Sequence, residues 1–176
     1  MALSAEEWLD NEDSQCRSDR LKRLKWIIEK YPNIDISLFH GGLKSYYLFE
    51  EARYCFVYSQ YIASIVLSLS YIENILASVF YASGRNDLQR APVADLFKKA
   101  KKEGLISESE FIVFNKVRKI RNPITHFRKP NDKEIIEYRS IKNNRHPYKL
   151  LEEDSKVALE ASFRIMSKFS IPKHGD

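Results

Sequence analysis

Cysteine, glycine and proline are all scarce in this chain. Its 176 residues hold two cysteines, Cys16 and Cys55, with no C-x-x-C pair and no clustering of the four histidines. That usage supplies neither a disulfide framework nor a ligand set for structural zinc, so no metal and no cofactor is expected, and a reducing, cytoplasmic setting fits. Five glycines and six prolines are too few for a loop-rich or low-complexity chain. No window alternates apolar and polar residues between turn signals, which argues against a β-sheet. The first residues, Met-Ala-Leu-Ser-Ala-Glu-Glu-Trp, are acidic where a secretory leader is basic, so no signal peptide is expected.

What is present reads as helix. Hydrophobic residues make up 44% and charged residues 30%, the balance of a soluble globular domain long enough to enclose a core. Ser4 with Glu7, and Ser107 with Glu110, have the spacing of capping boxes, in which the two residues satisfy each other's free backbone N–H groups at a helix start. After the first, an acidic run over residues 6–13 turns basic over 17–25, and Leu21, Leu24, Ile27 and Ile28 recur at helical spacing up to Pro32. Residues 33–42 read as a loop with His40 beside two glycines. Residues 52–83 read as one long central helix, apolar on several faces and so buried on several sides. Part of it, residues 61–82, has the length of a bilayer-spanning helix, about 20 residues. Glu73 and Asn74 at its middle would be costly in lipid, so a core helix is expected there and no membrane.

Further on, Pro92 suits a first helical turn, Val93, Leu96 and Phe97 an inward stripe, and Gly104 a stop. Lys98, Lys99, Lys101 and Lys102 suit that helix's C-terminal dipole and could also grip a phosphate backbone. Asn131 and Asp132 would cap a short helix ending at residue 138 or 139. A basic loop with His146 would cover 140–147, and a closing helix 150–169. The expected fold is all-α, an up-and-down helical bundle around a long central helix. Residues 1–50 would form an N-terminal helical arm packed on the bundle, residues 51–170 the domain and residues 171–176 a frayed tail.

The net charge is +5, compatible with a polyanionic partner. Basic residues crowd residues 116–128: Lys116, Arg118, Lys119, Arg121 and Arg128. Within them lies Arg121-Asn122-Pro123-Ile124-Thr125-His126. Arginine offers a planar, permanently charged fork to phosphate oxygens. Histidine can take or give a proton near neutral pH. Asparagine can orient the imidazole or bond a substrate oxygen. On an ideal helix Asn122 and His126, four apart, share a face, and Arg118 joins them, whereas Arg121 points about 140° away from His126. Pro123 removes a backbone donor and favours a kink or an end near itself. Such a kink could swing Arg121 toward His126.

Arg-Asn-x-x-x-His, here Arg121, Asn122 and His126, resembles the signature of HEPN domains, the higher eukaryotes and prokaryotes nucleotide-binding family. A long apolar helix with an acidic residue, Glu73 in this chain, precedes the motif as that family would have it, and the resemblance covers about residues 52–169. Two departures stand out: Arg128 lies two residues after the histidine, where some toxin subgroups have tyrosine, and Pro123 sits inside the motif. The resemblance implies a metal-independent RNA endonuclease acting as a homodimer with its site at the dimer cleft. Its setting would be toxin–antitoxin or antiviral defence, with an antitoxin or regulatory protein as a further partner. It implies catalytic roles for Arg121 and His126 and a supporting one for Asn122. The residues themselves add Glu73 as a support that pairs with a cation of the motif helix, and Arg118, Lys119 and Arg128 as RNA contacts. Whether Arg118 or Arg121 reaches the phosphate stays open: the family pattern favours Arg121 and ideal helix geometry Arg118. The alternative is a non-catalytic helical module that binds RNA, a nucleotide or a protein.

Overall fold

The computed structural model of the protein describes residues 3–31, 36–38, 40–169 and 171–172. The described residues form an all-α bundle of seven helices: α1 (Ala5–Lys30), α2 (Gly42–Val57), α3 (Tyr61–Ala82), α4 (Val93–Lys102), α5 (Glu108–Thr125), α6 (Ile136–Asn143) and α7 (Pro147–Phe169). A short antiparallel pairing joins β1 (Ile36–Leu38) to β2 (Ile171–Pro172), so part of the expected loop and part of the expected tail hold each other.

Local chemistry sets three of the seven helix starts. Both capping boxes form: Glu7 N–H donates to Ser4 Oγ at 3.1 Å and Ser4 N–H to Glu7 Oε2 at 2.8 Å. At α5, Glu110 N–H donates to Ser107 Oγ at 3.2 Å and Ser107 N–H to Glu110 Oε2 at 2.6 Å. Pro147 opens α7 at the first helical position, where its missing N–H costs nothing. His146 Nδ1 accepts from Tyr148 N–H at 3.2 Å, which gives this histidine a capping role.

The expected central helix over residues 52–83 is in fact two antiparallel helices. α2 ends at Val57, and Ser59 adopts φ +64°, a left-handed conformation usually left to glycine. Ser59 N–H donates to Phe56 C=O at 3.1 Å and Gln60 N–H to Cys55 C=O at 2.7 Å, the two bonds of a Schellman stop. The turn lets α2 fold back on α3 and bury Phe49, Ala52 and Phe56 against it.

α3 is the hub, packed against α2, α4, α5 and α7. It is the one helix among the described residues long and apolar enough to cross a membrane, and Ile65, Leu69, Ile72, Ile75, Leu76 and Phe80 along it lie in the core. Burying each such side chain is worth roughly 1.5–3 kcal/mol. Small residues let α7 approach closely: Ser64, Ser68, Ser155, Ala158, Ala161 and Ser162 are all buried, and Ser162 Oγ donates to Ser68 C=O at 3.3 Å. At one end of the bundle Tyr31, Phe49, Tyr71 and Phe163 form a ring cluster with centroids 5.1–6.1 Å apart. Burial pushes the Tyr71 hydroxyl pKa well above its ordinary range.

α1 packs on the bundle only through its second half. Arg23 Nε donates to Val57 C=O at 2.8 Å, Trp26 meets the Phe56 ring at 5.1 Å, and Ile27 enters the core. Of the expected stripe only Ile27 is buried; Leu21, Leu24 and Ile28 stay exposed. Every residue from 3 to 15 is exposed. The physical reason is that the helix overruns the bundle, so its first turns have nothing beneath them.

Candidate functional site

α5 runs antiparallel to α7. Lys168 near the end of α7 pairs with Glu110 at the start of α5 at 2.8 Å, so the last turn of α5 lies beside the first turns of α7. There α5, the following loop, α6, α7 and the start of α3 enclose a cleft of about 660 Å³. Its floor is apolar, with Ile62, Ile120, Ile124 and Leu151, and its rim carries His126, Arg128, Glu134 and Glu137.

One wall is locked by an ion pair. Arg139 of α6 donates to both Asp154 carboxylate oxygens of α7, at 2.7 and 2.9 Å. The Asp154 side chain is only 9% exposed, against 28% for Arg139. This bidentate bond to Asp154 holds the Arg139 guanidinium pKa above its ordinary value. Sequence reading left Arg139 at the end of a short helix before a loop. The signal was a lone acid, Asp154, on the otherwise apolar face of Leu150, Ala158, Ala161 and Ile165. A buried carboxylate needs a partner.

The motif helix differs from expectation at Pro123. α5 continues through Pro123 to Thr125, and His126 caps it with its N–H donating to Asn122 C=O at 3.1 Å. In the last turn a proline loses only one carbonyl partner. Phe127, Arg128 and Lys129 therefore follow the helix and do not belong to it. Arg121 does not swing to His126. Its Nη1 donates to Thr125 Oγ1, one turn on, at 3.2 Å. His126 is exposed and lines the cleft, whereas Arg121 and Asn122, both half-buried, do not line it.

The remaining candidates separate similarly. Arg118 is half-buried, with Nε donating to Asn115 Oδ1 at 3.2 Å, and Lys119 is exposed. Arg128 lines the cleft with Nε 3.9 Å from Asp132 Oδ2. Among the described residues Lys116, Arg118, Lys119 and Arg121 of α5 make no ion pair. The α4 lysines differ: Lys98 pairs with Asp95 at 3.3 Å, Lys99 with Glu103 at 3.3 Å and Lys101 with Glu108 at 2.5 Å.

Glu73 does not support the motif. It forms no ion pair among the described residues, and its neighbour Asn74 instead ties α3 to α2 by donating to Ser45 Oγ at 2.5 Å. Glu73 lies eleven residues beyond Ile62, which lines the cleft, and so about 16 Å along the helix from it. The 140–147 loop is also shorter than expected, because α6 continues to Asn143 and Asn144 ends it in a left-handed conformation.

No family model, no curated protein and no solved structure matches the chain. Among the described residues no group of three or more His, Cys, Asp or Glu could hold a metal ion.

Proposed function

We propose that this protein is a metal-independent RNA endonuclease of HEPN type, acting as a homodimer in the cytoplasm. The observation that carries the reading is an exposed histidine, His126, at a cleft mouth, at the end of a helix whose four cations have no carboxylate partner among the described residues. Unpaired cations attract phosphate over a distance and hold it on contact. The imidazole supplies proton transfer.

In this reading the RNA's own 2′-OH attacks the adjacent phosphodiester. A 2′,3′-cyclic phosphate forms and the 5′-oxygen leaves as a hydroxyl. His126 takes the 2′-OH proton as general base, and the His126 of a second copy protonates the leaving oxygen, or the roles reverse. Arg121 exchanges its neutral Thr125 acceptor for a phosphate oxygen, a stronger charge-assisted bond. Asn122 orients the phosphate or the imidazole, and Arg118, Lys119 and Arg128 hold the flanking backbone. Such an activity suits a toxin or a phage-defence effector, held in check by an antitoxin or regulatory protein.

The test is RNA cleavage in EDTA by the wild type and by His126→Ala. The expected result is cutting that survives EDTA and falls by about 10²–10⁴-fold in the variant, leaving 2′,3′-cyclic phosphate ends. Equal cutting by both proteins would sink the proposal.

A second reading, a non-catalytic module that binds RNA, a nucleotide or a protein, is favoured by one observation. The cleft beside His126 has an apolar floor, and Arg121 does not line it. RNA binding without cleavage, lost in Arg121→Ala and kept in His126→Ala, would establish it.

A further inference from the structure

The first half of α1 is a helix with nothing to pack on. Among the described residues, no side chain from 3 to 15 bonds outside α1. A helix without packing is marginal in water, and this one exposes Trp8 and Leu9.

Where it points follows from its neighbours. The Arg20 guanidinium lies over the Tyr58 ring at 5.1 Å, and Tyr58 follows the end of α2. Tyr148 at the start of α7 stacks edge-on with Tyr61 at the start of α3, centroids 4.9 Å apart. Those are the ends of α3 and α7 that meet the end of α5 at the cleft. The free turns of α1 therefore overrun the bundle at the His126 end, by about 20 Å for residues 3–15. A straight helix leaving that end cannot fold back on its own α5.

The charges match across two copies. Residues 1–13 contain Glu6, Glu7, Asp10, Glu12 and Asp13 and no lysine or arginine. Residues 115–130 contain Lys116, Arg118, Lys119, Arg121, Arg128 and Lys129 and no carboxylate. On α1, Glu6, Leu9, Asp10 and Asp13 share one face; on α5, Ile112, Lys116 and Lys119 share another. Leu9 and Ile112 are exposed. The same end of the bundle also presents Phe127, 92% exposed, and Ile141, 83% exposed. From residue 112 to 125, α5 measures about 20 Å, the length of the free arm.

We infer that two copies meet at their His126 ends and exchange arms, the acidic first half of each α1 lying along the Ile112, Lys116 and Lys119 stripe of the other copy's α5. Glu6 faces Lys116 and Asp10 faces Lys119, one turn further toward the junction, and Phe127 and Ile141 are buried between the bundles. The inference does not need the site to cut RNA. If the site does, RNA and the arm compete for Lys119.

The test is sedimentation velocity on the full chain, free of nucleic acid, with helicity checked by circular dichroism. The wild type is expected to be a dimer that high salt weakens. Glu6→Lys/Asp10→Lys and Lys116→Glu/Lys119→Glu each place like charges together and should raise the self-association Kd by at least about tenfold. An equal mixture of the two variants re-forms the dimer, because both arms then meet opposite charge. All four substitutions made in one chain also restore it. Rescue by mixing cannot come from misfolded protein. A monomeric wild type overturns the inference, as does a dimer indifferent to both reversals. RNA plays no part in the readout: a dimer indifferent to both reversals sinks the arm exchange alone, whereas a monomeric wild type also removes the homodimer from the nuclease reading.

Discussion

Asp154→Ala tests whether the cleft wall is held as the structure shows. The substitution removes both acceptors of Arg139 and leaves a guanidinium 28% exposed beside an apolar floor. Breaking one side of a fully buried ion pair costs about 3–5 kcal/mol. The solvent reaching Arg139 recovers part of that, so we expect a loss of about 2–3 kcal/mol. For a chain of this length that corresponds to a fall in Tm of about 5–10 °C. Urea unfolding followed by circular dichroism gives the free energy, and amide exchange should show α6 opening ahead of α3. Arg139→Met separates the pair from the packing. If the bidentate bond matters, Asp154→Ala should cost much less in the Arg139→Met background, a coupling of about 1–2 kcal/mol. A loss under about 0.5 kcal/mol, or full additivity of the two changes, would refute the reasoning.

Three further outcomes follow from the same geometry. Ser59→Gly relieves a left-handed residue at the α2 stop and should stabilise the protein by about 0.5–1 kcal/mol, read as a higher urea midpoint. Pro123→Ala restores a donor for the Lys119 carbonyl within α5 and should raise Tm by a few degrees; a lowered Tm would mean that the ring's packing in the cleft outweighs the lost bond. Burial alone would raise the Glu110 pKa, but hydrogen bonds from Lys168 and the Ser107 cap outweigh it, so the folded value lies below the ordinary 4.5. That stability is complete above the ordinary value and is lost as pH falls through the folded one, so wild type should lose more unfolding free energy between neutral and acid pH than Lys168→Met, whose profile should be flatter.

The sequence by itself determined what is local. Ser4 with Glu7 and Ser107 with Glu110 announced two helix starts, because a capping box is complete within four residues. The stripe of Leu96 and Phe97 before Gly104 announced α4 and its end. The absence of period-2 patterning gave the all-α class. The cation-rich stretch ending in His126 was equally plain, since its residues are neighbours in the chain.

Tertiary structure decided everything that depends on where a helix stands along its neighbour. The stop at Ser59 uses a residue type with no strong turn preference, and it forms because folding back buries Phe49 and Phe56 against α3. Glu73 shares an apolar helix with Ile62, and only the packing of α5 and α7 on the start of α3 placed the cleft at Ile62, about 16 Å along the helix from Glu73. Arg139 and Asp154 lie 15 residues apart and meet only because α6 folds onto α7. Arg121 stays with Thr125, because a proline in the last turn of α5 leaves the backbone helical. The free half of α1 could be known only once the bundle's length was, since the same acidic residues would have served a packed helix equally well.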